Sequence, residues 1–133
     1  MQLTFINASP RGTKSNTAIL MEHFIKGFLE TPGNICEVEY LVSHRKDLQP
    51  LVEKFRTAEN VLLGFPLYID AMPAGVKTFM EALAPLAGRK DLPALVFMIQ
   101  CGFPETSHLR FVGRYCEKFS RRLGCRPLGL ILK

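Results

Sequence analysis

The chain has 133 residues, the size of one domain, and 47% of them are hydrophobic, which is enough for a substantial core. With 22% charged residues and only short apolar runs, the composition argues against a disordered chain and against a membrane-spanning protein. The net charge of +5 favours anionic partners, either nucleic acid or small molecules, without choosing between them.

The cysteines and the N-terminus favour a cytoplasmic protein without a metal site. Cys36, Cys101, Cys116 and Cys125 form no C-x-x-C pair and have no histidine cluster beside them, so we expect buried free thiols. Residues 2–6 resemble a strand, and no basic segment precedes them, so we expect no signal peptide.

Strand and helix patterns alternate along the chain. Short apolar runs predict strands over residues 2–7, 35–42, 60–65, 95–101 and 128–132, of which the second alternates like an edge strand. Four stripes of apolar residues with helical spacing separate these runs, and each stripe is expected to face the core. The last stripe comprises Val112, Tyr115, Cys116, Phe119 and Leu123. This alternation predicts a single α/β domain over residues 1–133 with a doubly wound parallel sheet.

Three irregular segments mark the expected ligand site. Residues 8–15, 66–74 and 102–107 each follow a predicted strand and precede a helix. In doubly wound sheets, ligands bind outside the carboxyl ends of the strands. All three segments therefore lie at the edge of the sheet where a binding site is expected.

The first of these segments has the chemistry of an anion site. A helix beginning near Asn16 offers unpaired N–H groups and a partial positive charge at its N-terminus. Ser15, Asn16 and Thr17 are capping residues whose side chains also donate to oxyanions, and Ser9 follows the strand. Arg11 adds a planar guanidinium that suits phosphate. The alternative interpretation is a polar turn with a good N-cap.

Known phosphate loops and one related fold are excluded by this segment. It contains neither G-x-G-x-x-G nor G-x-x-x-x-G-K-[ST], which argues against a Rossmann dinucleotide loop and against a P-loop. A response-regulator receiver needs an acidic pair after its first strand, where this chain has Asn7-Ala8-Ser9.

Ser9-Pro10-Arg11 and Ser15-Asn16-Thr17 resemble the S-P-R-x-x-x-S-N-T phosphate loop of flavodoxin-like NAD(P)H-dependent FMN reductases and NAD(P)H:quinone oxidoreductases. The segment after the third strand resembles the same family through P-x-Y-x-x-x-x-P-x-x-x-K. That motif is matched by Pro66, Tyr68, Pro73 and Lys77, whereas Ile69 stands where an aromatic residue is common and Glu81 where Asp is common. Gly102 opens a third segment, G-F-P-E, which resembles a subset of that family.

The resemblance implies a flavodoxin-like strand order of 2-1-3-4-5 and a bound FMN. Ser9, Arg11, Ser15, Asn16 and Thr17 would hold its phosphate, and Pro66, Leu67, Tyr68, Ile69 and Gly102 would hold its ring and ribityl chain. NAD(P)H would be the hydride donor, with a flavin, quinone or similar small molecule as acceptor. No catalytic residue or metal ligand is assigned. His108 is either a helix-terminal histidine or an acid for quinone reduction.

Two alternatives to the reductase remain open: a flavodoxin-type electron carrier, and a flavodoxin-like interaction module without a cofactor.

The fourth helix carries a basic face, which is either solvated or attractive to anions such as NADPH phosphates. Because no aromatic residues are interleaved with these cations, nucleic acid is not expected there. That face comprises Arg110, Arg114, Lys118, Arg121 and Arg122. The fold normally has a fifth helix after the fifth strand, whereas this sequence ends at Lys133 with the predicted fifth strand. Without the fifth helix, apolar surface beside the first helix should be open. We therefore expect a homodimer or a truncated chain.

Overall fold

Five parallel strands form one sheet in the computed structural model, which describes residues 1–103 and 106–133. The strands are β1 (Gln2–Asn7), β2 (Ile35–Tyr40), β3 (Asn60–Pro66), β4 (Ala94–Gln100) and β5 (Arg126–Leu132). Their order in the sheet is β2-β1-β3-β4-β5, which confirms the predicted flavodoxin-like topology. Pro104 and Glu105 of the G-F-P-E segment lie outside the described residues.

The helices alternate with the strands as predicted. They are α1 (Asn16–Leu29), α2 (Gln49–Thr57), α3 (Ala74–Ala82) and α4 (Arg110–Leu123). The second strand ends two residues earlier than predicted, because Leu41 begins a 3₁₀ turn that buries its side chain. The fifth strand begins two residues earlier than predicted, because Arg126 and Pro127 pair with Ala94 and Leu95 before an irregularity in the ladder.

The core is divided by the sheet into two unequal parts. Phe65 and Phe97 belong to the larger part, where α2, α3 and α4 cover the sheet, and their rings meet edge to face with centroids 6.4 Å apart. Phe5 and Leu62 point to the other face, which is covered by α1. β1 and β3 are thus buried on both sides, which explains their nearly continuous apolar sequences.

The face that carries α1 is less completely covered. Ile19 on α1 is 55% exposed and Ile131 on β5 is 36% exposed, although both are apolar. These values confirm the predicted open surface beside the first helix. Whether a second copy of the chain covers it stays a prediction.

The four cysteines differ in burial. Cys116 and Cys125 are buried free thiols, as predicted, and burial raises the pKa of Cys116 to about 12 and that of Cys125 to about 11. Cys36 and Cys101 are only half-buried, so the prediction was wrong for them. Cys36 lies on the edge strand β2, and Cys101 lies just beyond the end of β4.

In the described part of the chain, no helix has both the length and the apolar character that a bilayer crossing requires.

Candidate functional site

The carboxyl ends of β1, β3 and β4 bring the three predicted loops together at one edge of the sheet. Pro66 at the end of β3 is the register partner of Gln100 at the end of β4, and Asn7 at the end of β1 pairs with Gly64. Beyond these ends lies a hollow of about 170 Å³, which we call the inner cleft. It is lined by Ser9, Arg11, Ser15, Asn16, Pro66, Leu67, Tyr68, Gln100, Cys101 and Gly102.

Eight of the ten predicted cofactor-binding residues therefore line one cleft. The two exceptions are Thr17 and Ile69. Thr17 lies fully buried in the first turn of α1. Ile69 lines a neighbouring hollow of about 380 Å³, the outer cleft, together with Leu67, Asp70, Cys101, Gly102, Phe103 and His108. Because Leu67, Cys101 and Gly102 line both hollows, the two clefts are adjacent.

The loop between β1 and α1 is shaped by its own hydrogen bonds. Ser15 caps α1, since its Oγ accepts from the backbone N–H of Ala18 at 3.0 Å, and it donates to the carbonyl of Gly12 at 2.6 Å. Asn7 joins the same network: its Nδ2 donates to Ser15 Oγ at 3.4 Å, and its Oδ1 accepts from the N–H of Ser9 at 3.0 Å. The hydroxyl proton of Ser15 is thus engaged within the loop, and Ser15 fixes the loop's shape.

A buried hydroxyl in this region lacks a partner. Among the described residues, Thr17 Oγ1 is the one buried side-chain oxygen or nitrogen without a hydrogen bond. An unsatisfied buried hydroxyl costs about 1–3 kcal/mol, so its presence at the N-terminus of α1 calls for an acceptor. Arg11 and Asn16 are exposed beside it. Arg11 and Asn16 are donors that fit the phosphate of FMN, whose oxygens accept hydrogen bonds.

The loop after β3 contains a tight turn in a strained conformation. The N–H of Tyr68 donates to the carbonyl of Ala71 at 2.7 Å, and the N–H of Ala71 donates to that of Tyr68 at 3.0 Å. Between them, Ile69 and Asp70 have φ angles of 45° and 61°, the arrangement of a type I′ turn. Such turns favour Asn and Gly, and a β-branched residue with positive φ is an outlier. Ile69 is also 100% exposed, so no packing within the chain explains its conformation.

Asp70 and Phe103, which the sequence analysis did not assign to the site, lie in the outer cleft with His108. His108 Nδ1 is 3.7 Å from Asp70 Oδ1, a contact that joins the second loop to the third. The rings of Phe103 and His108 lie with centroids 4.8 Å apart. Phe103 could have been identified from the sequence as an aromatic residue next to Gly102. Nothing in the sequence links Asp70 to His108.

Gln100 and Cys101 were also not predicted as site residues, because both were assigned only to the fourth strand. That strand ends at Gln100, and both residues line the inner cleft. Their position after a buried apolar run was the available signal, because the last residues of a central parallel strand face the ligand edge.

The lysine of the resemblance motif lies outside both clefts. Lys77 Nζ forms an ion pair with Glu81 at 3.0 Å, one turn further along α3. It also lies 5.7 Å from the centroid of the Tyr115 ring on α4. Tyr115 itself was predicted to face the core but is 40% exposed, because it stands at the margin of its stripe, beside a groove between α3 and α4.

Within residues 1–103 and 106–133, no group of three or more His, Cys, Asp and Glu side chains is arranged to hold a metal ion.

Comparisons with known proteins agree with this architecture. A family described as having a flavodoxin-like fold matches residues 1–85. A comparison with curated protein sequences finds no match. The structure of an NADH:FMN oxidoreductase in its apo form superposes with a TM-score of 0.76 at 18% identity, over 98% of this chain and 74% of that one.

Two further solved structures share the fold. An NADPH-quinone reductase from P. pentosaceus has a TM-score of 0.75 at 19% identity, over 99% of this chain and 84% of that one. An oxidised flavodoxin from Bacillus cereus has a TM-score of 0.69 at 20% identity, over 100% of this chain and 84% of that one. At such identities the likeness is one of fold.

Proposed function

Because this chain belongs to the family of flavodoxin-like folds, we propose that it binds FMN and acts as an NAD(P)H-dependent oxidoreductase of a flavin, a quinone or a similar small acceptor. The observation that carries the proposal is the convergence of three loops on one cleft at the carboxyl edge of the sheet. Two of the solved structures with this fold, an NADH:FMN oxidoreductase and an NADPH-quinone reductase, lend it support.

The inner cleft would receive the phosphate end of FMN. Arg11 is exposed at its rim and would pair with the phosphate, while Asn16 would donate to its oxygens. The first N–H groups of α1 would add their partial positive charge. Ser15 would act mainly by holding the loop, because its hydroxyl already donates to the Gly12 carbonyl. The Ser9 hydroxyl accepts from the N–H of Arg11, so its own proton would be available to a phosphate oxygen.

The outer cleft would receive the flavin ring. Leu67 and Ile69 offer apolar surface there, and the exposed ring of Tyr68 lies in the adjoining inner cleft. A Cβ built on Gly102 would meet no atom within 4 Å, so the backbone at this position is open to close approach. When bound, FMN supplies the chemistry: its ring accepts a hydride from NAD(P)H and passes electrons to the acceptor. For a quinone acceptor, His108 would supply a proton.

The proposal is tested by titrating purified protein with FMN and then adding NADPH without oxygen. We expect FMN to bind and NADPH to bleach its visible absorption. Arg11→Ala should weaken FMN binding by about 1.5–3 kcal/mol, roughly a ten- to hundredfold rise in Kd. Lys14→Ala is the matched control, since Lys14 is an exposed cation of the same loop that does not line the inner cleft. An unchanged Kd for Arg11→Ala would contradict the assigned phosphate site.

A flavodoxin-type electron carrier is the second candidate, and the likeness to the Bacillus cereus flavodoxin favours it. Carriers of this type are usually acidic, so the net charge of +5 argues against this alternative. Protein that binds FMN but is bleached by neither nicotinamide would support the carrier. Protein that fails to bind FMN would support an interaction module without a cofactor.

We also propose that the chain forms a homodimer, for which the exposed apolar residues beside α1, Ile19 and Ile131, provide the support. Sedimentation at increasing protein concentration tests this, and a monomer at every concentration would contradict it.

A further inference from the structure

A groove of about 520 Å³ lies between α3 and α4, and none of its lining residues lines the inner cleft. Met72, Lys77, Phe111 and Tyr115 form much of its wall. Its volume lies within the range of small-molecule sites, and its lining is predominantly apolar and aromatic. The groove is separate from the proposed sites of the FMN phosphate and ring, because the groove and the outer cleft share only Asp70.

A hollow of about 400 Å³ connects the groove with the outer cleft. Asp70 and His108 line both this hollow and the outer cleft, whereas Asp70 and Phe111 line both the hollow and the groove. Arg110 and Ser107 complete the lining of the hollow. A continuous surface depression therefore leads from the proposed ring site, past a guanidinium, to two aromatic rings.

Each aromatic ring of the groove stands beside a cation. Arg110 Cζ lies 5.1 Å from the centroid of the Phe111 ring, and Lys77 Nζ lies 5.7 Å from that of Tyr115. Phe111 is 62% exposed and Tyr115 is 40% exposed, so flat apolar surface is open to a ligand. Flat rings stack on nucleobases and guanidinium groups pair with phosphates, and this combination suits a nucleotide.

We propose that this groove holds the adenosine phosphate half of NAD(P)H, an inference that rests on the proposed reductase function. The nicotinamide would lie in the outer cleft, the pyrophosphate in the connecting hollow beside Arg110, and the adenine against Phe111 and Tyr115. The order of the three depressions matches the order of the three parts of a dinucleotide. Two acidic groups lie near this path: Asp70, whose carboxylate faces the imidazole of His108, and Glu81, which pairs with Lys77.

The test uses ADP, a redox-silent probe that lacks the nicotinamide, titrated calorimetrically into the purified full chain loaded with FMN. Arg110→Gln and Phe111→Ala should each weaken ADP binding about tenfold, because one removes a phosphate partner and the other a stacking surface. Phe111→Tyr keeps the ring and should bind ADP within about twofold of the wild type. Arg126→Gln is the matched control: it removes one exposed arginine at the opposite end of the sheet.

Enzyme kinetics supply a second measurement. Arg110→Gln and Phe111→Ala should raise the KM for NADPH by a factor similar to that for ADP, with kcat and the Kd of FMN unchanged. The proposal is overturned by wild-type protein that does not bind ADP. It is equally overturned by Arg110→Gln and Phe111→Ala proteins that bind ADP as tightly as Arg126→Gln.

An incorrect groove assignment and an incorrect proposed function would give different experimental results. Reduction of bound FMN by NADPH, without any binding of ADP, would leave the reductase standing and remove the groove assignment. ADP binding that depends on Arg110 and Phe111, in protein whose FMN is not reduced by NADPH, would establish the groove as a nucleotide site and refute the reductase.

Discussion

The two ends of the proposed FMN site are built in opposite ways. At the phosphate end, the loop between β1 and α1 buries Ser9, Gly12 and Ser15 and uses the side chains of Asn7 and Ser15 to satisfy its own backbone. At the ring end, Ile69 and Asp70 adopt positive φ angles without being glycine, and Ile69 is fully exposed. One end is stabilised by its contacts, whereas the other holds strain with little packing to offset it.

This difference matches what each end would bind. A phosphate is the same in every flavin nucleotide, so a preformed and rigid cradle suits it. The ring and its redox partners require exposed apolar surface, which cannot be buried without closing the site. Strain is commonly found at such functional positions. Three substitutions test whether the two ends differ in stability as this comparison implies.

The largest effect is expected at the rigid end. A Cβ built on Gly64 would lie 2.8 Å from Cε2 of Phe5 and 3.1 Å from Cγ2 of Thr17. Both neighbours are fully buried, so Gly64→Ala should lower the free energy of unfolding by about 1–3 kcal/mol through overpacking. Urea denaturation measures this loss. Gly27→Ala is the control, because a Cβ there meets nothing within 4 Å and should raise helix stability by up to about 1 kcal/mol. Equal stability of the two variants would show that the rigid end accommodates an added methyl group at residue 64.

An effect of opposite sign is expected at the strained end. Ile69→Asn places a residue that tolerates positive φ in the type I′ turn, so the unfolding free energy of the FMN-free protein should rise by about 1 kcal/mol. FMN binding should weaken at the same time, since the exposed apolar side chain is lost. Thermal denaturation without FMN and a titration with FMN measure the two effects. A destabilised variant would mean that the turn is not strained.

The smallest effect is expected behind the rigid end, at the 3₁₀ turn Leu41–His44. Its Val42 packs against the loop, since a Cβ built on Gly12 would lie 3.0 Å from Val42 Cγ1. Glu39 ties this turn to α2: it contacts His44 at 3.2 Å and Lys54 at 2.7 Å. Burial acts to raise the pKa of Glu39, but the hydrogen bonds from Lys54 and His44 together lower it below its usual value of 4.5.

A lowered folded-state pKa means that ionised Glu39 stabilises the fold above pH 4.5 and that this contribution is lost as the pH falls through the folded-state value. Glu39→Gln should therefore lose about 0.5–1 kcal/mol of unfolding free energy at neutral pH. The difference from wild type should shrink below about pH 4. Glu37→Gln, which removes the more exposed partner of Lys54, should lose less. A difference between wild type and Glu39→Gln that does not change between pH 7 and pH 3 would contradict this account.

Sequence patterns predicted the strands of the sheet and the cap at the rigid end, whereas the strand order was predicted from the family resemblance. The continuous apolar runs of residues 2–7 and 60–65 indicated central strands, and the alternation in residues 35–42 indicated an edge strand. The cap at Ser15 followed from local chemistry, since a hydroxyl before a helical stripe bonds to the first free N–H groups.

The strained end and the groove were harder to predict, for physical reasons. Ile-Asp carries none of the usual signals of a type I′ turn, so the positive φ angles at residues 69 and 70 had no local indication. Helical periodicity places Tyr115 on the apolar stripe but does not report whether a neighbouring helix covers that part of the stripe. The contact between Asp70 and His108 depends on how two loops meet, which no spacing along the chain encodes.

The hydrogen bond from the Ser15 hydroxyl to the Gly12 carbonyl has a kinetic consequence. A loop that already holds its bound shape loses little conformational entropy when a ligand arrives. Capture of the proposed mononucleotide should then require no slow rearrangement of the protein. Its residence time, rather than its rate of arrival, would set how tightly it is held.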